Sequence, residues 1–102
     1  MAEYEAKRDQ IRCPSHPGAV LDDIIPDLGK PKAEIARLLG ISRQMLYDIT
    51  AQRKPVSPTV AAKLGKLLGN GPETWLRMQA SYDAWHAERE VDVSGIPTIR
   101  AA

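Results

Sequence analysis

The sequence predicts a single all-α domain of five helices, and two observations lead to this prediction. Apolar residues recur at spacings of three and four along much of the 102-residue chain, which is the period of amphipathic helices. Phe is absent and the β-branched and aromatic residues are scattered, so the alternation typical of strands is missing. A chain of this length can bury an apolar core without disulfides or metals.

Proline and glycine residues mark the ends of the first two predicted helices. The first helix is expected to open at Pro17, where a missing N–H costs nothing, and to stop or bend sharply at Pro26. A turn over residues 27–31 leads to a second helix at about 32–39. Gly40 is expected to end this helix in the left-handed conformation.

Serine caps predict where the third and fourth helices begin. Ser42 offers a hydroxyl that caps a helix ending near Ala51 or Gln52. Ser57 is expected to cap the fourth helix, with Pro58 at its first position, and the Gly-Asn-Gly run at 69–71 ends it.

The fifth helix and the irregular segments complete the predicted organisation. The helix is expected to begin at Pro72 and to end around residues 86–90. The domain is therefore predicted to span 15–89, between an N-terminal extension at 1–14 and a C-terminal tail at 90–102.

Residues 32–51 contain the pattern that points to a function. Two short helices meet at a tight turn centred on Gly40, which is the spacing of a helix-turn-helix. Ala36 is small enough for the helices to cross closely, and Leu46 and Ile49 are expected to anchor the second helix in the core. A helix-turn-helix places its second helix in the major groove of DNA.

The outward face of that second helix carries side chains suited to base edges and phosphates. Arg43 can bind guanine and Gln44 adenine through paired hydrogen bonds. Tyr47 can contact a thymine methyl or a phosphate, and Asp48 can accept from cytosine or set specificity by repulsion. The predicted base-contacting residues are Arg43, Gln44, Tyr47 and Asp48. The predicted phosphate ligands are Lys32, Ser42, Arg53 and Lys54.

Charge is distributed unevenly along the chain. Residues 30–66 contain eight basic and two acidic side chains, a net charge of +6, whereas the remainder carries −5. A positive middle segment favours an anionic partner, although a solvated helical surface explains the charge equally well. The combination with the helix-turn-helix and its Arg-Gln face decides in favour of DNA.

Nothing in the sequence indicates an enzyme, a metal site or a membrane protein. His16 and His86 lie seventy residues apart, and no catalytic or metal-ligating set occurs at motif spacing, so no cofactor is expected. The apolar runs are too short for a membrane span. Cys13 is the single cysteine and cannot form an internal disulfide, which indicates a reducing, cytoplasmic setting.

Several segments together are typical of one protein family. These segments are the His-Pro-Gly at 16–18, residues 35–44, residues 56–62, and residues 67–76 followed by Gln79 and Tyr82. Through them the chain resembles the HigA-type antitoxins of the Xre/Cro-repressor helix-turn-helix superfamily. The resemblance implies a five-helix, lambda-repressor-like domain that binds a palindromic DNA operator as a homodimer and represses its own operon. It also implies neutralisation of a RelE/HigB-like mRNA-cleaving toxin by direct binding. The alternative is a stand-alone Xre-type transcriptional regulator without a toxin partner.

The chain departs from the family pattern at three places. Ala51-Gln52 stands where the family usually has Asn-Gly, so the usual left-handed terminator is missing after the recognition helix. Pro31 occupies the position of the usual Ser or Thr cap, and Pro26 falls inside the usual pattern of the first helix.

The last helix and the two irregular segments are candidates for protein contacts. Trp75, Met78, Tyr82 and Trp85 follow a spacing of three, four and three residues along one helix face. Trp75 is expected to close the core, and the predicted dimer interface consists of Met78, Tyr82 and Trp85. The predicted toxin-binding anchors in the N-terminal extension are Tyr4 and Ile11, with the tail after Val91 as the alternative.

Overall fold

The computed structural model describes residues 12–100, and its five α-helices confirm the predicted all-α fold. The helices are α1 (Pro17–Ile24), α2 (Lys32–Leu39), α3 (Arg43–Thr50), α4 (Pro58–Leu68) and α5 (Pro72–Glu90). A 3₁₀ helix, Ile25–Leu28, follows α1, and the described residues contain no strand.

The segment around Pro26 agrees with the prediction in one respect and differs in another. The α-helix stops at Ile24, before Pro26, as expected, but the chain continues as the 3₁₀ helix, with Pro26 in its first turn. The first turn of a helix does not use the N–H that proline lacks. The prediction of a turn over 27–31 is therefore wrong for Asp27 and Leu28, and the helical conformation ends only at Gly29, which has φ +69°.

The predicted helix caps at the turn between α2 and α3 are confirmed. Gly40 has φ +68° and ends α2 in the left-handed conformation. Two residues later, the Ser42 hydroxyl accepts a hydrogen bond from the Met45 N–H at 3.0 Å. Ser57 caps α4 in the same way, accepting from the Val60 N–H at 3.2 Å. Between α2 and α3, only one residue separates the Gly40 terminator from the Ser42 cap, and this short connection sets the change of direction between these two helices.

The core contains apolar side chains from all five helices. Leu46 and Ile49 of α3 are buried in it, as predicted. Trp75 closes the core, with its indole N–H donating to Asn70 Oδ1 at 3.1 Å. The buried apolar residues are Leu21, Ile25, Ile35, Ala36, Leu39, Leu46, Ile49, Val56, Val60, Ala61, Leu64 and Trp75.

Two glycines allow backbone to pack directly against backbone. A Cβ atom at Gly18 would lie 1.7 Å from the carbonyl oxygen of Ile49, so the start of α1 rests on the last turn of α3. A Cβ at Gly65 would lie 2.2 Å from the carbonyl carbon of Gly71, which brings α4 close to the start of α5. Only glycine fits such close approaches.

His16 caps the first helix from a buried position. Its Nδ1 accepts a hydrogen bond from the Gly18 N–H at 2.8 Å, and the side chain is buried. The edge of its ring meets the ring of Tyr82 on α5, with 4.9 Å between the ring centroids. Burial lowers the pKa of His16, and nearby Asp83 opposes that shift. A neutral ring suits this position because Nδ1 must be free of a proton to accept.

The chain beyond α5 leaves the helix at Val91, which has an extended conformation. A turn follows, in which the Ile96 N–H donates to the Val93 carbonyl at 2.9 Å. The apolar side chains of this tail are exposed: Val91, Val93, Ile96 and Ile99. Within residues 12–100, none of the helices has both the length and the hydropathy that a membrane span requires.

Candidate nucleic-acid interface

Helix α3 presents a polar face to the outside because its apolar residues point into the core. Leu46 and Ile49 are buried, whereas Arg43 and Gln44 in the first turn are exposed. Tyr47 lies one turn further along, with 45% of its surface exposed. Three of the four residues predicted to contact bases therefore share one accessible surface.

The Arg43 side chain has no polar partner within the part of the chain that the structure describes. It is exposed at the N-terminus of α3 and makes no hydrogen bond or ion pair with residues 12–100. A guanidinium offers five N–H donors in a planar fork. Arg43 can therefore receive a planar acceptor pair, such as a guanine edge, without first breaking an internal contact.

Lys32 was predicted to bind phosphate, but the fold places it within an internal network. Its ammonium lies 2.9 Å from Asp22 Oδ1 and 3.4 Å from Thr50 Oγ1. It also lies 5.1 Å from the ring centroid of Tyr47, within the range of a cation–π contact. Lys32 therefore connects α1, α2 and α3 and supports the Tyr47 ring from one side.

Asp48 shares a helix face with Gln44, but other side chains cover its carboxylate, so the expectation that the Asp48 side chain is exposed is wrong. The residue is only 8% exposed. Its Oδ1 accepts from Gln44 Nε2 at 2.9 Å and from Arg53 Nη2 at 2.8 Å and Nε at 3.1 Å. Its Oδ2 lies 3.4 Å from the ammonium of Lys54. One carboxylate thus binds three side chains that the sequence analysis assigned to DNA.

These contacts keep the carboxylate ionised. The hydrogen bond from Arg53 lowers the pKa of Asp48, and the bonds from Gln44 and Lys54 act in the same direction against the effect of burial. The spacing of Gln44 and Asp48, four residues apart on one helix, is the signal that predicts part of this arrangement. The contact with Arg53 depends on the path of the chain after α3.

The turn after α3 explains how Arg53 reaches Asp48. Gln52 has φ +65°, the left-handed conformation usually taken by glycine. Its N–H donates to the Ile49 carbonyl at 3.0 Å, and the Arg53 N–H donates to the Asp48 carbonyl at 2.8 Å. This pair of bonds is a Schellman motif. The absence of glycine therefore does not remove the helix terminator, because Gln52 takes its place.

Arg53 and Lys54 remain accessible although both contact Asp48. Their side chains are 60% and 50% exposed, respectively. The eight residues of α3 span about 12 Å. Basic groups are therefore present at both ends of the recognition helix, with Arg43 at the start and the Arg-Lys pair after the end.

The predicted dimer residues are partly covered within the chain. Met78 packs against the core. The ring of Tyr82 lies between those of His16 and His86, at centroid distances of 4.9 Å and 4.4 Å. The guanidinium of Arg89 lies 3.6 Å from the ring centroid of Trp85. The predicted toxin-binding residues Tyr4 and Ile11 lie outside the described residues.

The fold also brings together Cys13 and His86, which the sequence analysis treated as separate. Their Sγ and Nε2 atoms are 3.6 Å apart on the surface. The Nδ1 atom of His86 lies 3.5 Å from Glu90 Oε1. Among residues 12–100, no group of three His, Cys, Asp or Glu side chains has the arrangement of a metal site.

Comparison with known proteins supports the interpretation of this surface. The family model HTH_3, a helix-turn-helix, matches residues 27–76, which include all the predicted DNA-contacting residues. A solved structure from Nostoc punctiforme, described as an antidote protein of a plasmid maintenance system, shares 38% identity with a TM-score of 0.73. The alignment covers 76% of this chain and 86% of that protein. This chain belongs to the HTH_3 helix-turn-helix family. HTH_3 proteins are DNA-binding regulators, and the family is not one of enzymes.

Two further relatives extend the comparison. The antitoxin HigA of Pseudomonas aeruginosa, solved with the higBA promoter, is 26% identical with a TM-score of 0.68, over 78% of this chain and 96% of that protein. Virulence-associated protein A' of Dichelobacter nodosus is 35% identical over 75 residues, 72% of this chain. The chain spans 65% of the length of that relative. The Xre-type fold and the resemblance to HigA-type antitoxins are thereby confirmed.

Proposed function

We propose that this chain is an antitoxin and autorepressor. It binds a palindromic operator as a homodimer through α3 and neutralises a RelE/HigB-like mRNA-cleaving toxin. The observation that carries the proposal is the structural likeness to HigA solved with promoter DNA. In this chain, α3 exposes Arg43, which has no polar partner among residues 12–100.

The proposed contacts follow from the geometry of α3. Arg43 and Gln44 lie in its first turn, the part of a recognition helix that meets base edges, and Tyr47 follows one turn later. Ser42 marks the N-terminus of α3, whose N–H groups and partial positive charge suit a phosphate. Arg53 and Lys54 bind phosphates beyond the other end of the helix. Lys32 supports Tyr47 and adds positive charge beside it.

A gel-shift assay with the promoter of the chain's own gene tests DNA recognition. Binding to the promoter should exceed binding to a random duplex, and both should weaken steeply as salt rises from about 50 to 200 mM. Arg43→Ala should lose discrimination at one base pair per half-site, by about 1–3 kcal/mol. Arg77→Ala is the matched control, because Arg77 is an exposed arginine on α5 outside this surface. Equal behaviour of the two variants would contradict the proposed role of Arg43.

The dimer is proposed to form through the outer face of α5, with Met78, Tyr82 and Trp85 at the interface. A two-fold dimer places two recognition helices about 34–36 Å apart on successive major grooves. Trp85→Glu should shift the sedimentation of the chain to that of a monomer. Arg77→Glu, a charge reversal at an exposed position of the same helix, should leave the dimer intact. An unchanged dimer in Trp85→Glu would refute this interface.

Co-expression tests the antitoxin activity. The reading frame next to the gene, if it encodes the toxin, should arrest growth when expressed alone, and this chain should restore growth. Deletion of residues 1–11, which contain Tyr4 and Ile11, should abolish the rescue and leave promoter binding unchanged. Rescue that survives this deletion but is lost on removal of residues 91–102 would assign toxin binding to the tail. Promoter binding without any rescue would favour the stand-alone regulator.

A further inference from the structure

The position of Asp48 is unexpected for a surface that binds DNA. A carboxylate near the recognition helix repels phosphates and weakens binding to every DNA sequence. Yet Asp48 lies among three of the side chains proposed to contact the operator, Gln44, Arg53 and Lys54, and binds all of them. One of these contacts is with Gln44, which is proposed to contact a base. The other two are with Arg53 and Lys54, which are proposed to bind phosphates.

The two cationic contacts reduce the positive charge that the free protein offers to DNA. Asp48 lies 2.8 Å from Arg53 Nη2 and 3.4 Å from Lys54 Nζ, so its carboxylate takes up part of the charge and hydrogen-bonding capacity that the two cations would otherwise offer to a phosphate. The side chains of Arg53 and Lys54 are 60% and 50% exposed, so both cations remain within reach of DNA. A backbone phosphate must therefore share or replace these contacts, which lowers affinity for DNA of any sequence.

The third contact orients the side-chain amide of Gln44. Its Nε2 donates one of two N–H groups to Asp48 Oδ1 at 2.9 Å. The reverse orientation would bring the amide oxygen against a carboxylate, which is electrostatically unfavourable. The carbonyl oxygen and the second N–H of Gln44 are therefore left for recognition, and this is the donor–acceptor pair that adenine requires.

We propose that Asp48 is a positioning residue that sets the specificity of the surface. It suppresses binding to arbitrary DNA by offsetting one of the two positive charges of Arg53 and Lys54, and it favours adenine at one position per half-site by orienting Gln44. This inference rests on the proposed DNA-binding function. It explains why an acidic side chain lies within an otherwise basic segment: general affinity is reduced while discrimination between sequences rises.

The test compares Asp48→Asn with the wild type on the promoter and on a random duplex across a salt series. Asp48→Asn removes one negative charge, so it should bind the random duplex about tenfold more tightly near 0.1 M salt, and the slope of log affinity against log salt should steepen by about one. Selection from a randomised half-site should show a weaker adenine preference, at the position where Gln44→Ala loses it. The matched control is Glu73→Gln, which removes the same charge from an exposed position on α5.

Unchanged affinity for the random duplex together with an unchanged base preference would overturn the inference. A wild-type chain that binds its promoter no better than random DNA would overturn the proposed function and this inference with it. Where the promoter is recognised but Asp48→Asn behaves like wild type, only the inference fails.

A second variant covers the case in which Asp48→Asn does not fold. Asp48→Ala removes the same charge without placing an amide beside Arg53 and Lys54, and it should show the same gain in affinity for the random duplex and the same weaker adenine preference. A folded Asp48→Ala variant with unchanged affinity for the random duplex and unchanged base preference would overturn the inference.

Discussion

Gln52 offers a direct test of how α3 ends. Its φ of +65° lies in the left-handed region, where a side chain with a Cβ is disfavoured relative to glycine. The side chain is exposed, and the motif uses only the backbone of this residue, whose N–H binds the Ile49 carbonyl. Gln52→Gly should therefore relieve local strain while preserving the turn that carries Arg53 to Asp48. We expect the variant to be more stable than the wild type.

The size of the gain follows from two opposing effects. The left-handed conformation costs a non-glycine residue about 1–2 kcal/mol. Glycine loses more conformational freedom on folding, which reduces the stabilisation gained from the substitution by about 0.5–1 kcal/mol. The net stabilisation is then about 0.5–1 kcal/mol, and for a domain of this size it raises Tm by about 2–8 °C.

Urea unfolding followed by tryptophan fluorescence measures this difference, with thermal melts by circular dichroism as a second measurement. Gln52→Ala is the matched control, because it shortens the side chain but keeps the Cβ, and it should remain within about 0.5 kcal/mol of wild type. Gly69→Ala is the reverse experiment. Gly69 has φ +79° with open space around an added Cβ, so strain alone should destabilise this variant by about 1 kcal/mol.

A Gln52→Gly variant that is no more stable than Gln52→Ala would contradict the backbone strain expected at this φ. That result would mean that the backbone at position 52 is relaxed at this φ, because neither variant keeps the contacts of the Gln side chain. A neutral Gly69→Ala would contradict the same strain argument at an independent site.

Three further substitutions test other contacts of the fold. Gly18→Ala places a Cβ 1.7 Å from the Ile49 carbonyl oxygen, so urea unfolding should show a loss of at least about 2 kcal/mol, and an unchanged midpoint would show that α1 shifts freely. Gln79→Leu leaves the buried N–H of Val56 without the acceptor that now lies 2.8 Å away, and the same titration should show a loss of about 1–3 kcal/mol. Because burial lowers the pKa of His16, the unfolded chain binds this proton at higher pH than the folded protein, and stability falls as pH drops below the unfolded value of about 6.5 toward the folded one. His16→Asn keeps a capping side chain and should flatten this dependence in thermal melts between about pH 7 and pH 5; an unchanged slope would assign the effect to another group.

The helix ends were predictable from sequence because they depend on contacts between near neighbours. Ser42 and Ser57 bind N–H groups three residues ahead, and Gly40 supplies a backbone conformation that few other residues favour. The turn predicted after Pro26 was wrong for Asp27 and Leu28 because proline both ends helices and starts them. Which of these occurs depends on how the following residues pack.

The environment of Asp48 was not predictable, because it depends on where the chain goes after α3. Helical periodicity correctly placed Arg43 and Tyr47 on the outside. It also placed Asp48 there, since nothing in the period indicates that Gln52 adopts a left-handed conformation and returns Arg53 toward the helix. The buried cap at His16 was missed for a similar reason, as the ring of Tyr82 that meets it comes from the distant α5. The DNA contacts and the dimer interface stay predictions.

The contact of Gly18 with Ile49 has a mechanical consequence. Helices separated by side chains can slide by changes of rotamer, but here backbone meets backbone and no adjustable layer lies between α1 and α3. Two residues earlier, His16 is held against Tyr82 of α5. A displacement of α1 is therefore transmitted to the recognition helix without an intervening change of rotamer, whereas the link from α1 to α5 runs through two side-chain rings. In any assembly of two copies, α1 and the recognition helix of each chain therefore move together as one unit.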